Sequence, residues 1–322
     1  MNRRQFSAAL AAMPFASAIR PACAQDERPA TIVVGFAAGG SVDAAARLVA
    51  EHLRRTTQRT YVVENRSGAA GRLAPEAVRR AAPDGATLMI VPHGPMTLFP
   101  HIYSNLRYDP LRDFTPVSRL ATYDYALIAG PSFTARTAAQ LQSWARQAGN
   151  AANFGSPGAG SVPHFVGTTL AGKLGVPLAH VPYRGAAPAL ADVMGGQLAL
   201  VVAPVADAIQ LHRQGKVRIL GTSGPARSPV SPEIATFREI GIDYVLPGWY
   251  GLYGPAGMQP ALVAGLEQAV IRALERPELQ ESFRKMGLVS APANGRALQA
   301  AQASELAMWK PVVQASGFKP ES

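Results

Sequence analysis

The chain has 322 residues, 48% of them hydrophobic and 16% charged, which is enough apolar material for one large or two medium domains and excludes a disordered or fibrous protein. Its formal net charge is +10, and the basic residues are scattered rather than gathered with aromatics into a tract, so a nucleic-acid partner is not expected. Without Arg3, Arg4 and Arg20, which fall in the first 24 residues, three charges are removed and the balance is +7.

The N-terminus reads as a signal peptide over 1–24. Met1 to Phe6 is a charged opening, 7–19 is an apolar run, and Ala22-Cys23-Ala24 is a small-residue cleavage site. Arg3-Arg4-x-Phe6 resembles a twin-arginine signal, so export to the periplasm by the general secretory or the twin-arginine route is expected. The apolar run is too short to span a bilayer, and no later run reaches the ~18 apolar residues that a span needs. Cys23 is the single cysteine; it leaves with the signal, so no thiol or disulfide chemistry is expected. Arg20 argues against lipid attachment at Cys23.

Beyond residue 28, short β-branched runs alternate with helical patterns. Strands are predicted over 31–34, 61–63, 87–91, 125–129, 153–154, 178–181, 198–202 and 217–221. Helices are predicted over 42–54, 73–81, 138–148, 162–174, 187–194 and 206–214. This alternation is the signature of βαβ units on parallel sheets. A further strand over 248–253 is followed by a helix over 260–274, a turn at Glu275-Arg276-Pro277 and two more helical stretches to residue 316. That tail is too short for a third domain and is expected to pack back on the first. The predicted units are therefore 25–124 with 249–322, and 125–248.

Two glycine-rich loops stand at matched places in the two units. Phe36-Ala37-Ala38-Gly39-Gly40-Ser41-Val42-Asp43 follows the first strand and opens the first helix. Gly155-Ser156-Pro157-Gly158-Ala159-Gly160-Ser161-Val162-Pro163-His164 does the same in the second unit. A strand, a tight turn and a helix start leave backbone N–H groups free at the positive end of a helix dipole, which suits a small anion. Gly39-Gly40 also serves as a simple tight turn with Ser41 as a cap, and Asp43 suits either the helix N–H groups or a ligand amine. His164 lies just inside the second loop and is a candidate ligand contact. Trp249 and Tyr250 either wall a cleft or sit buried between the units.

Motifs for catalysis are missing. No G-x-S-x-G elbow, H-E-x-x-H pair or G-x-x-x-x-G-K-[ST] loop occurs, and the 35–40 loop does not fit G-x-G-x-x-G. Neither a cofactor nor a metal is expected, and no enzymatic activity.

Several segments together resemble one family. They are the Phe36 to Asp43 loop; Val62-Val63-Glu64-Asn65-Arg66; Ala82-Pro83-Asp84-Gly85; Tyr108-Asp109-Pro110 with Asp113-Phe114; and Pro116-Val117. The second unit adds Gly158 to Ser161 with His164, the block from His180 to Asp192, and Gly195-Gly196-Gln197. Arg227-Ser228-Pro229, Trp249-Tyr250-Gly251-Leu252 and Gly254-Pro255-Ala256-Gly257 complete the set. In order and spacing the mature chain is similar to the substrate-binding receptors of tripartite tricarboxylate transporters, also called Bug proteins. The resemblance implies an α/β fold: a two-lobed periplasmic binding protein of the Venus-flytrap, type II-like kind, each lobe a mostly parallel sheet flanked by helices. It implies a receptor that holds a small carboxylate through main-chain amides and water, closes about a hinge, and delivers it to membrane permease subunits; a monomer is expected. It places Phe36, Ala38, Gly39, Gly40, Ser41, Asp43, His93 and Gly94 on one side of the cleft. On the other it places Ser156, Gly158, Ala159, Gly160, Ser161, His164, Tyr183, Arg184 and Ala203. Arg184 reads either as a cation reaching the carboxylate or as a solvated side chain at the lobe edge.

The chain departs from the family pattern at Gly35, Ala37 and Ala38, and at Ala203, where relatives often carry an Asp able to meet a ligand amine or hydroxyl. The expected ligand is therefore a carboxylate without an ammonium group, since a buried unpaired ammonium is costly. The competing readings are an exported hydrolase of small anions and a ligand-presenting accessory of a signalling system.

Overall fold

The computed structural model describes residues 28–316 and 318, so the predicted signal peptide and Cys23 lie outside the described residues. In chain order come β1 (Ala30–Val34), α1 (Ser41–Thr57), β2 (Tyr61–Asn65), α2 (Leu73–Val78) and β3 (Thr87–Pro92). Two short turns of helix, α3 (His93–Thr97) and α4 (Phe99–Ile102), lead to β4 (Phe114–Ala129). Next are α5 (Ala138–Ala148), β5 (Asn153–Ser156), α6 (Val162–Leu174), β6 (Ala179–Pro182), α7 (Ala186–Met194), β7 (Leu200–Pro204), α8 (Val205–Arg213) and β8 (Arg218–Thr222). The chain ends with β9 (Pro247–Pro255), α9 (Pro260–Leu274), α10 (Pro277–Lys285), β10 (Val289–Asn294) and α11 (Gly295–Ser316).

Local chemistry accounts for the helices next to the loops. In α1 the buried Ala45, Val49 and Leu53 recur every four residues, so one stripe faces the sheet. Ser161 caps α6, Pro163 sits in its first turn where no intrahelical N–H is lost, and Gly175 ends it at a left-handed φ of 62°. Leu200, Val201, Val202 and Ala203 of β7 are all buried, as a strand covered on both faces requires.

The strands form one curled sheet in the order β2-β1-β3-β9-β4-β7-β5-β6, with β10 and β8 also paired to β4. β2, β1 and β3 run parallel, as do β6, β5 and β7. β9 and β4 join these two parallel groups by antiparallel pairing, so each lobe is a three-stranded parallel unit with antiparallel strands on its inner edge. β4 belongs to both: Phe114 to Asp124 pairs with β9, and Tyr125 to Ala129 pairs with β7. At about 3.3 Å per residue its 16 residues span about 50 Å.

This is where the structure departs most from the sequence reading. The strand expected at 125–129 begins at Phe114, because the ladder with β9 carries an unpromising stretch. Pro116 and Arg119 stand at two register shifts, where a bulge accommodates a residue that cannot extend a regular ladder. In the tail, α10 and α11 stand where two helical stretches were expected, and between them β10, which was not expected, adds to the edge of β4. Of the tail helices, α9 packs on α1 and β4, and α11 on α3, α4 and α6. The fully buried Trp309 of α11 meets Phe165 of α6 at 6.1 Å, so the last helix touches both halves.

Candidate functional site

A cavity of about 460 Å³ opens between the two parallel units. From the first half it is walled by Phe36 to Val42, Gly94, Pro95 and Phe99. From the second half come Pro157, Ser161 to Pro163, Arg184 to Pro188, Leu190, Met194, Pro204, Ala206, Asp207 and Leu211. Tyr123 and Tyr125 of β4 and Tyr250 of β9 also line it. A second cavity of about 440 Å³ adjoins it and shares Phe36, Ala37, Pro157 and Arg184.

The first turns of α1, α6, α7 and α8 all border the main cavity. Each presents the partial positive charge of unsatisfied N–H groups, so the field favours an anion although Arg184 is the one Lys or Arg among the lining residues. The first loop achieves this with Gly39 at φ 89°, a conformation favouring glycine, and its N–H donates to Asp43 Oδ2 at 3.0 Å. Asp43 is buried behind the loop, where Arg47 Nη2 lies 2.9 Å from Oδ1 and Asn65 Nδ2 donates to Oδ1 at 2.8 Å. Burial works against its charge, but Arg47, the Gly39 N–H and Asn65 outweigh it and hold the carboxyl below its ordinary value. Asp43 therefore braces the turn.

The second loop is braced by histidines. Gly160 N–H donates to His164 Nδ1 at 3.1 Å, and His164 stacks on His180 with centroids 3.7 Å apart. Ser156 Oγ donates to Gly158 O at 3.0 Å and lies 2.7 Å from His180 Nε2. Burial first, and then the proximity of His164, push His180 down to about 3, so its ring is neutral. This Ser–His pair looks like a nucleophile and base, but Ser156 is fully buried and lines neither cavity. It presents no hydroxyl to a substrate.

One wall is a network of phenols. Tyr250 Oη and Ser41 Oγ share a hydrogen bond of 2.8 Å, and the rings of Tyr250 and Tyr123 pack with centroids 4.6 Å apart. Tyr123 and Tyr125 hydroxyls lie 3.2 Å apart, and Tyr125 Oη is 2.7 Å from His93 Nε2. His93 Nδ1 reaches Glu305 Oε2 at 2.9 Å, and Trp249 Nε1 donates to Glu305 Oε1 at 2.7 Å. Tyr125, His93, Glu305 and Trp249 thus form one chain of hydrogen bonds running back from the wall. Burial pushes all three phenols well above their ordinary value, so they stay protonated.

Of the residues singled out in the sequence, Phe36, Ala38, Gly39, Gly40, Ser41, Gly94, Ser161 and Arg184 line the main cavity. Gly158 and Tyr183 line the second one. Asp43, His93, Ser156 and His164 stand behind the walls in the bonds just described, and Ala159 and Gly160 border neither cavity. Ala203 is fully buried in β7; the wall is made by Pro204 and by Asp207, on the next helix. The cavity does have an acid, so the argument from Ala203 does not hold at that position. Tyr250 walls the cleft, while Trp249 is buried behind it.

Asp207, Phe99, Tyr123, Tyr125, Leu190, Met194, Leu211 and Met286 were not singled out from the sequence. Asp207 had a signal, being an acid in the first turn of a predicted helix. Tyr123 and Tyr125 had another, since residues two apart on a strand share a face.

Residues 45–318 match the model of a family described as the tripartite tricarboxylate transporter family receptor. The chain is 32% identical over 296 residues to the UPF0065 protein in the gbd 5' region of Cupriavidus necator, covering 89% of this chain and 90% of that relative. The periplasmic binding protein BugD is similar in structure, with a TM-score of 0.86, 31% identity, and 92% of this chain and 99% of that one covered. A Rhodopseudomonas palustris protein solved with adipate aligns with a TM-score of 0.88 and 29% identity, over 92% of this chain and 99% of that one.

Proposed function

The chain belongs to the tripartite tricarboxylate transporter receptor family, and from that premise we propose that it captures a small carboxylate and hands it to the permease subunits of such a transporter. The family's members are periplasmic binding proteins, and among the described residues no helix is long and apolar enough to cross a membrane. The observation that carries the reading is the cavity on which the first turns of four helices converge from both halves, with Gly40 and Ser41 on one side and Ser161 and Ala186 on the other. An anion there satisfies N–H groups of both halves at once, which is the differential contact that favours a closed state. We assign 25–124 with 249–322 to one lobe and 125–248 to the other. In support, β4 changes partner between Asp124 and Tyr125, directly beside the pairing of Tyr123 with Gly248. The receptor acts as a monomer and turns over nothing; the buried Ser156 and the neutral, half-buried His180 support the second point.

The apolar part of the wall, from Phe99 to Leu190, Met194 and Met286, suits a carboxylate with a hydrocarbon or aromatic body. The test is a thermal-shift screen of mono-, di- and tricarboxylates and aromatic acids, repeated on Gly40→Val. Gly40 has an ordinary φ of −75°, and an added Cβ would meet nothing nearer than Ala37 O at 3.7 Å, so the variant keeps its fold. Its larger side chain stands at the cavity wall. We expect a carboxylate to raise the melting temperature of the native chain without being consumed, and the shift to vanish in Gly40→Val. Ligand stabilisation that survives this substitution removes the first loop from the site.

A further inference from the structure

Asp207 is an acid that the anion cradle does not need. It stands in the first turn of α8 and borders the main cavity, and its Oδ1 accepts the Ser41 N–H at 2.9 Å. That N–H opens α1 and belongs to the wall that receives the ligand's carboxylate. The protein thus holds one of its own carboxyl groups, from the other half, on the cradle.

Among the described residues no cation is paired with it. From α1 it meets Ser41, while Asp43 on the same helix is taken by Arg47. From the sheet it faces the protonated phenols of Tyr123 and Tyr250. Met286, beyond α10, is apolar. Arg184, before α7, lines the same cavity but is exposed, and His212 and Arg213 lie in the far turn of α8. Burial raises the Asp207 carboxyl above its ordinary value against the opposing hydrogen bonds from Ser41.

We propose that capture is coupled to a proton: a carboxylate settles on the α1 cradle beside Asp207 only as Asp207 takes up a proton, and the two carboxyl groups then share it. The proposal rests on the carboxylate-receptor reading above. Two carboxylates in one enclosed site of low dielectric cannot both stay ionised, and the pair titrates as a unit. The proton comes from solvent as the ligand enters. Asp207 then donates its O–H to a ligand carboxylate oxygen, and the proton returns to solvent when the lobes open. Asp207 thereby selects for a carboxylate and makes its retention depend on pH.

The experiment titrates the full mature chain and Asp207→Asn with acetate, benzoate, adipate and citrate from pH 5 to 8, by thermal shift and calorimetry. In the native chain the responding probe binds more tightly as pH falls, by up to about tenfold per pH unit. Heats measured in buffers of different ionisation enthalpy report proton uptake approaching one per ligand at pH 8. Asn donates as the neutral acid does, so Asp207→Asn keeps acid-level affinity across the range and takes up no proton. A native Kd that is flat with pH overturns the proposal and leaves the receptor reading standing. So does binding that weakens in acid and is lost in Asp207→Asn, which makes the ionised Asp207 carboxylate part of the site rather than a proton acceptor. No response from either chain to any probe at any pH overturns the carboxylate reading and this proposal with it.

Discussion

Gly94 shows how closely the two halves approach. A Cβ on this residue of α3 would lie 2.9 Å from Cγ2 of Val162 on α6, across the cavity mouth, so one of them must move. Gly94→Ala should therefore oppose closure more than folding. The expected outcome is carboxylate affinity weakened several-fold, with the melting temperature of the ligand-free chain nearly unchanged. Val162→Ala removes the opposing methyl, and the double variant should recover most of the loss, a coupling that a double-mutant cycle measures directly. At this scale the sequence was legible where the backbone itself carries the chemistry. The positive φ of Gly39 is a local requirement, visible in a string of residues, whereas the cap expected at Ser41 falls to Gly40, with no side-chain cap bond. Side chains were harder. Asp43 and His164 lie in the loops by number yet turn away from the cavity, and Asp207 reaches it from an unremarkable helix start. Which way a side chain turns depends on partners such as Asn65 and His180 that lie on another element.

Among the elements, β4 governs how the halves are joined. It runs unbroken from the first parallel unit to the second, and Asp124 sits where its partner changes from β9 to β7. Burial pushes the Asp124 carboxyl up from 3.8 to about 6. A carboxyl raised in the folded state is stabilising while protonated, below the unfolded value, and that stability is lost as pH rises toward and through about 6. At pH 7.5 the ionised group costs about 3 kcal/mol on the scale of ~1.4 kcal/mol per pH unit. Asp124→Asn should remove that cost. Chemical denaturation at pH 4 and pH 7.5 checks it: the variant should gain stability over the native chain at pH 7.5 and little or none at pH 4. An equal effect at both values refutes the assignment. The start of β4 was illegible because Pro116, Arg119 and Asp124 read as loop, and only the ladder with β9 overrides that preference.

For the whole molecule the functional claim is closure. Ligand contacts that exist only when α1 and α6 face each other stabilise the closed form by RT ln(1 + [L]/Kd), about 2.7 kcal/mol at a hundredfold excess over Kd. Small-angle scattering should accordingly show a smaller radius of gyration with the best carboxylate from the screen, and no such change in Gly40→Val. Equal radii with and without ligand, beside a clear thermal shift, would mean that the ligand enters an arrangement already closed and that hinge motion is not part of capture.

From the sequence alone came the alternation of strands and helices, the two glycine turns that open helices, and the likeness to carboxylate receptors. These rest on periodicity, backbone geometry and short motifs, which a chain expresses within a few residues. The tertiary structure alone decided that one strand serves both halves, that His93 and Ser156 support walls they do not form, and that Asp207 meets Ser41. Those outcomes depend on sheet register and on the meeting of the α8 and α1 starts, contacts that reach from 24 positions along the chain (Ser156 with His180) to 166 (Asp207 with Ser41) and whose spacing no local pattern encodes.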